Sequence, residues 1–420
     1  MTEHWLNRER LKLYPAAFLT IYIAFAALLL VKYPSGADDR GNALMPDFIV
    51  FWSASHIALT GEPVDAYDFA SIAKAERIAM PVLKGQARWL YPPTFYLLLL
   101  PLALLPYFYS YLLFSGTTLA AYVVVVRRIC ASQGLTDAVG WWPLLGFPAV
   151  FLNVYKGQNG LLTAALMGTA LLLLRSRPVL AGALIGLLTI KPHLGLLLPV
   201  VLICGRHWRA LFSATLTALA FTALSLAVLG ADTLGAFFSS VREFAPWAAG
   251  DVLLQRENPT FFAFFHLLGL SSTASVAFHG VVAVAVAWAV AWIWLRCVDF
   301  SLRAAALTAG TMLVSPYLLD YDLAWLALAI AWFSGYAMRN GWLAWERELL
   351  VLAWLLPALT FLIHHVLPLQ LDPFVLLALF LMIWRRSCRD VAWLRRNEAG
   401  LSAGVQSVSP KRGDSTEAST

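Results

Sequence analysis

Residues 14–31, YPAAFLTIYIAFAALLLV, carry no charge, and Arg8, Arg10 and Lys12 stand just ahead of them. As a helix rising 1.5 Å per residue this stretch covers about 27 Å, close to the ~30 Å of hydrocarbon in a bilayer. A cationic segment before an apolar one also opens a secretory leader. No small-residue A-x-A pattern follows Val31, however, and the chain beyond is equally apolar, so the stretch reads as an uncleaved first membrane helix.

Working outward, apolar stretches of similar kind recur as far as Trp384. Hydrophobic residues make up 60% of the chain and charged residues 13%, a balance that rules out water as the main solvent. The fold class expected is therefore an all-α integral membrane protein. Strands would leave unpaired edges in lipid, and the short alternating segments of an outer-membrane barrel are missing. Residues 92–126 are too long for one crossing and too short for three, and Pro101 and Pro106 interrupt them. They read as a membrane-embedded half-helix followed by one span. Counted through, the pattern gives roughly 12 transmembrane helices within residues 13–396, a cytoplasmic segment 1–12 and a disordered cytoplasmic tail 397–420, rich in Ser, Gly and Thr.

Arg127 and Arg128, Arg175 and Arg177, Arg206 and Arg209, Arg296 and Arg303, Arg339 and Arg347, and the residues from Arg385 onward mark the cytoplasmic loops by the positive-inside rule. Both termini are then cytoplasmic, in a multi-pass protein of the inner or plasma membrane. The net charge of +6 reports this orientation rather than nucleic-acid binding. Cys130, Cys204, Cys297 and Cys388 all fall at cytoplasmic helix ends, where reduced thiols and no disulfide framework are expected.

Polar residues that persist in such a chain mark the places to seek function. Two extracytoplasmic segments are long, 33–91 and 230–260. In the first, Asp47 stands at an N-cap position before FIVFWSASHIALT (48–60), with Gly61 as the stop. Ser53, His56 and Thr60 share one stripe of that helix, which is expected to lie along the membrane surface. The second carries Arg242, Glu243, Asp251, Arg256, Glu257 and Asn258. Smaller polar elements interrupt the spans at their extracytoplasmic ends: Tyr91-Pro92-Pro93, Lys156-Gly157-Gln158-Asn159-Gly160, Ile190-Lys191-Pro192-His193, and Ser315-Pro316-Tyr317 with Asp320-Tyr321-Asp322. Convergence on one outward-facing cavity would explain them, and so would independent capping of separate helix ends. Asp47 could serve only as a cap, Lys191 could snorkel to the interface, and Gln158 and Asn159 could join helices rather than touch ligand. His193, His266, His364 and His365 lack a metal-ligand spacing, so no metal site is expected. No Walker loop, dinucleotide fingerprint, nucleophile elbow or zinc-protease motif is present.

On these residues the chain resembles the polyprenyl-phosphate-sugar-dependent glycosyltransferases of family 87, once called domain of unknown function 2029. The matching stretches are Asp47-Phe48-Ile49-Val50-Phe51-Trp52, Gly61 with Tyr67-Asp68, Tyr91-Pro92-Pro93, Gly157-Gln158-Asn159-Gly160, Ala181-Gly182 leading to Lys191-Pro192, and Ser315-Pro316-Tyr317 with Tyr321-Asp322. They run in family order over about residues 40–335. The resemblance implies a GT-C-type bundle with juxtamembrane helices in its first extracytoplasmic loop and an active site on that side. It also implies a catalytic Asp in that loop, at Asp47. The chain departs from the family where Asp320 precedes Tyr321 in place of a frequent His, and at Asn258-Pro259-Thr260 in place of Asn-x-Ser.

The resemblance further implies transfer of a mannose-like hexose, or a pentose, from a polyprenyl-phosphate donor to a glycan or glycolipid acceptor, by an inverting displacement and without a cofactor. In that reading Asp47 is the base. Lys191, with Arg88 or Arg256, holds the departing phosphate. Gln158, Asn159, Tyr91, His56, Asn258, Asp320 and Asp322 complete the substrate site, and the prenyl tail lies in a groove near residues 91–95. The alternatives from other classes are a polytopic secondary transporter and a non-catalytic envelope-assembly protein. A transporter should show helix breaks repeated between two halves, and no such repeat is visible.

Overall fold

The computed structural model describes residues 4–85, 87–135, 140–363, 366 and 368–406. The helices run in the order α1 (Arg10–Lys32), α2 (Phe48–Thr60), α3 (Phe69–Ala79), α4 (Pro93–Leu99), α5 (Tyr107–Ser132), α6 (Trp142–Leu145), α7 (Pro148–Lys156), α8 (Gly160–Leu173), α9 (Pro178–Gly186) and α10 (Leu198–Cys204). They continue with α11 (Trp208–Leu229), α12 (Asp232–Gly250), α13 (Val252–Glu257), α14 (Phe261–Leu267), α15 (Ser272–Arg296), α16 (Phe300–Val314), α17 (Leu326–Asn340), α18 (Glu346–Ile363) and α19 (Asp372–Gln406). No strand occurs among the described residues beyond an isolated bridge between Ala37 and Ala43.

Among the described residues, four helices are long and apolar enough to cross a membrane: α1, α5, α11 and α15. The chain is thus all-helical with membrane-spanning character, and the remaining apolar helices are shorter. Segment Pro93–Leu104 precedes α5 as the half-helix expected from its prolines. Segments Gly160–Leu173, Pro178–Ile190, Pro192–Cys204 and Phe300–Val314 are likewise short. A helix of 13 residues rises about 20 Å, less than a bilayer's ~30 Å. Chain breaks between such helices therefore fall within the thickness of the bundle, and Lys191, at one of them, is buried.

Packing explains which helices stay central. In α16 nearly every residue from Ser301 to Leu313 is buried, as expected of a helix apolar on all sides, and α17 covers it. Helices α9 and α11 touch backbone to backbone. A Cβ on Gly182 would lie 2.3 Å from the Ala210 carbonyl oxygen, and one on Gly186 2.6 Å from that of Ala214, so only glycine permits this approach. By contrast α1 buries only Pro15 and α11 shows most of its surface outward.

Three expectations are corrected here. Helix α2 does not lie on a surface: all its residues from Phe48 to Ser55 are buried, against α3 and the 3₁₀ turn Leu100–Leu104. Of the stripe expected at Ser53, His56 and Thr60, Ser53 is buried, His56 half-buried and Thr60 exposed, so only its end reaches the surface; Ser55, off that stripe, is buried and donates to the Leu99 carbonyl. The groove placed near residues 91–95 is closed, because Tyr91 and Phe95 pack edge-on against Phe51 with ring centroids 5.1 Å away, beside Trp89. Helix α19 runs on to Gln406, past the start of the tail expected to lack structure, and residues 407–420 lie outside the described ones. All four cysteines are free.

Candidate active site

The site begins where α7 ends. Gly157 takes a left-handed conformation (φ 73°) that closes α7, and a Cβ there would sit 2.4 Å from Phe48 Cβ. Glycine alone lets the end of α7 abut the start of α2. The contact is sealed by the Asp47 amide, which donates to the Lys156 carbonyl at 3.1 Å. Three residues on, a Cβ at Gly160 would lie 2.4 Å from the Tyr321 carbonyl oxygen, so the start of α8 presses equally close to the loop before α17. Asn153 splices the two, donating to Tyr321 O at 2.8 Å and accepting from the Leu161 amide at 3.2 Å.

Between these contacts stand Gln158 and Asn159, each turned to a different partner. Gln158 Nε2 donates to Asp47 Oδ2 at 2.9 Å, while its Oε1 accepts from the Tyr91 hydroxyl at 3.1 Å. Asn159 Oδ1 accepts from Lys191 Nζ at 3.4 Å, and its buried Nδ2 has no partner. The Asp47 side chain gives no capping bond to α2. Its carboxylate is directed to Gln158 instead, so capping does not account for it. The surrounding protein pushes the Asp47 carboxyl above its ordinary range, with Lys156 and the Gln158 amide pulling the other way.

Two lysine–carboxylate groups flank this pair. Lys156 Nζ donates to both oxygens of Asp320 at 2.9 Å and to Glu257 Oε2 at 3.1 Å. Lys191 is 4% exposed, pairs with Asp322 and lies 4.6 Å from the centroid of the Tyr321 ring. Snorkelling is therefore excluded for Lys191. Asp322 also accepts from the Leu319 amide at 3.2 Å, and Asn258 Oδ1 accepts from the Leu318 amide at 3.3 Å. These bonds fix the loop before α17 beneath the segment around α13.

The polar breaks thus converge. Asp47, Tyr91, Gln158, Asn159, Lys191, Asp320 and Asp322 meet in one cluster, and Asn258 anchors its rim. His56 and Arg88 do not join it. His56 stacks on Trp52 at 5.0 Å within α2, and exposed Arg88 covers the Phe69 ring at 4.6 Å, each spending its polar group on a neighbouring aromatic face. Arg256 is half-buried beside Glu257, with its carbonyl accepting from Gln370 Nε2 at 2.8 Å. Sequence reasoning missed Lys156, Glu257 and Asn153 as site residues. Lys156 was visible inside the polar element 156–160, but its partner Asp320 lies 164 positions away. Among the described residues no group of three or more His, Cys, Asp or Glu side chains is placed to hold a metal ion, and His364 and His365 lie outside those residues.

Comparison with known families turns this geometry into an identity. The profile of glycosyltransferase family 87 matches residues 89–316, which is more than half of the chain. The chain belongs to glycosyltransferase family 87. Neither a curated protein nor a solved structure matches it. As a membrane glycosyltransferase of this family it carries Lys156, Gln158, Asn159, Lys191 and Glu257 inside the matched span. Asp47, Asp320 and Asp322 lie outside that span, and the fold brings them onto it.

Proposed function

We propose that this glycosyltransferase takes its sugar from a polyprenyl-phosphate donor and passes it to a hydroxyl of a glycan or glycolipid by one inverting displacement. The observation that carries the reading is the Asp47 carboxylate, held by a single side-chain amide beside two buried lysines, with its lone pairs otherwise uncommitted to α2. In the reaction the acceptor oxygen attacks the anomeric carbon and the bond from that carbon to the phosphate oxygen breaks. Asp47 takes the hydroxyl proton, and the lipid phosphate leaves with the bonding electrons. Lys191 and the unpartnered Asn159 amide stand ready for the charge that grows on that phosphate.

Lys156 acts differently, clamped by Asp320 and Glu257, and sets the electrostatic surroundings of Asp47. Since the donor already carries an activated leaving group, the chain needs no nucleotide-binding domain. The distribution of arginines supports an extracytoplasmic site in a plasma or inner membrane, with both termini cytoplasmic and the shorter helices completing about twelve crossings. The sugar is a hexose such as mannose, or a pentose.

The test is a donor competition in proteoliposomes, offering polyprenyl-phosphate sugars and nucleotide sugars, each radiolabelled, to membrane glycolipid acceptors. Covalent transfer from the lipid donor alone is expected. Direct use of a nucleotide sugar, or solute uptake without any covalent product, would overturn the proposal.

A further inference from the structure

The stretch Trp89-Leu90-Tyr91-Pro92-Pro93 leads the first loop into α4. A residue before proline is kept out of the helical region, and Pro93 opens α4 where a missing amide hydrogen costs nothing, so Tyr91 stays just outside the helix. Its ring is gripped from three sides, with centroids 5.1 Å from Phe51, 5.1 Å from Trp89 and 4.9 Å from Phe95. The Tyr67 hydroxyl donates to the Tyr91 carbonyl at 2.9 Å. With backbone and ring both held, the Tyr91 hydroxyl is aimed at Gln158 Oε1, 3.1 Å away. Burial pushes this phenol above its ordinary value, so it remains a donor.

Gln158 is itself buried, and a buried amide can stand in two senses. Turned one way it offers Nε2 to Asp47, which favours the ionised carboxylate; turned the other it offers Oε1, which only a protonated carboxyl can meet. Two donors decide between them. The Tyr91 hydroxyl and the Asn159 amide, the latter at 3.2 Å, both point at Oε1 and leave Nε2 for Asp47 Oδ2 at 2.9 Å. We propose that Tyr91 is a positioning residue, whose hydroxyl sets the sense of the Gln158 amide and so keeps Asp47 in the form that accepts a proton. The assignment rests on the general-base reading of Asp47 and adds how the fold of the first loop reaches that carboxylate. Tyr91 acts through Gln158 rather than on the substrate, because its one hydroxyl proton is already committed. The bonds run in one direction, from Tyr91 to Gln158 to Asp47, so each polarises the next. Burial raises the Asp47 carboxyl, Lys156, the Gln158 amide and Lys191 lower it, and Glu257 raises it; of these groups the Tyr91 hydroxyl bonds only the amide.

The experiment follows transfer by the full-length protein in proteoliposomes across pH, with the polyprenyl-phosphate hexose or pentose that gives product in the competition above. Tyr91→Phe keeps the ring among its aromatic neighbours and leaves Oε1 with the Asn159 amide, so the melting temperature should match the parent's. Its kcat should fall about fivefold, the weight of one neutral hydrogen bond, with donor KM unchanged. The acid limb of its pH–rate profile should move to higher pH, because the carboxylate loses support. In a Gln158→Leu background the same substitution should cost nothing further, since no amide is left to orient. The single variant's profile decides the case whether or not the double variant folds. A raised KM with the limb in place, or losses that multiply in the double variant, would overturn the assignment and make Tyr91 a substrate contact. A lower melting temperature with kcat and limb as in the parent would overturn it too, leaving a structural hydroxyl. Failure of the underlying reading looks different: an Asp47→Asn protein with parent activity removes base and relay together. An inactive Asp47→Asn protein beside a Tyr91→Phe protein with an unmoved limb removes the relay alone.

Discussion

The two ends of α18 present two buried charge clusters that differ in kind. At its start, Glu346 accepts from Arg386 Nε and Nη2, both at 2.6 Å, and from Arg385 Nη2 at 3.3 Å, while Arg386 also donates to the Gly341 carbonyl at 2.6 Å. The Glu346 carboxylate and its Arg386 partner are held by fixed, close bonds, and the result is a latch between α18 and α19. At the far end stands the cluster of Asp47, Lys156 and Lys191. There Asp47 takes one side-chain bond, Asn159 Nδ2 and His193 Nε2 have no partner, and the lysines sit among carboxylates and the Tyr321 ring. Saturated bonding builds structure, whereas bonding capacity left open inside a bundle is what a substrate can use.

Removing a charge should separate the two clusters most sharply at Lys191. Lys191→Met strands Asp322 without its cation and, in the proposed mechanism, removes the partner of the leaving phosphate. Transfer is expected to fall about 10²–10³-fold, the scale for a lost transition-state donor, together with a lower melting temperature. Adding Asp322→Asn should restore the melting temperature but not transfer. Recovery of both by the double variant would make Lys191 structural, like Arg386. At the latch, Glu346→Gln breaks a buried pair and should cost about 3–5 kcal/mol of stability, read by thermal unfolding in detergent. Donor KM should stay as in the parent, and a selective rise in KM would erase the contrast.

A smaller effect is expected at Gln158→Leu, near tenfold in kcat/KM, about the weight of one hydrogen bond to a charged group. Because the Gln158 amide favours the ionised carboxylate, its loss should move the acid limb of the pH–rate profile to higher pH. An unmoved limb would mean that Asp47 does not govern it.

The mildest prediction concerns Glu76 in α3, buried with only the Ala87 amide at 3.2 Å for company and pushed up to about 7 by burial. The folded protein then keeps a proton that the unfolded chain gives up near its ordinary value of 4.5. Stability contributed by this group is complete below that value and is lost as pH rises through about 7. Glu76→Gln should flatten this dependence in thermal unfolding between those limits, and an unchanged slope would contradict it.

Much of this was legible in the residues, and the misses have physical causes. The element 157–160 could be read as a unit because glycines and amides together have no reason to persist in an apolar bundle. Its glycines prove to allow the two close approaches and its amides to reach Asp47 and Lys191. The burial of α2 was not legible, since Ser53 and Ser55 look polar in sequence yet lie inside, and Ser55 bonds a backbone carbonyl. Arg88 and His56 looked available, but neighbouring aromatic rings absorb them. Pairings such as Lys156 with Asp320 depend on distant loops meeting, which no local pattern encodes.

The central claim is that the Asp47 carboxylate, rather than the cluster's charge in general, removes the acceptor proton. Asp47→Asn keeps size and can still meet the Gln158 side chain, so its melting temperature should equal that of the parent. Its transfer from a polyprenyl-phosphate sugar in proteoliposomes should fall about 10²–10⁴-fold, the usual contribution of a general base. A folded, inserted Asp47→Asn protein that transfers sugar at the parent rate would contradict the account.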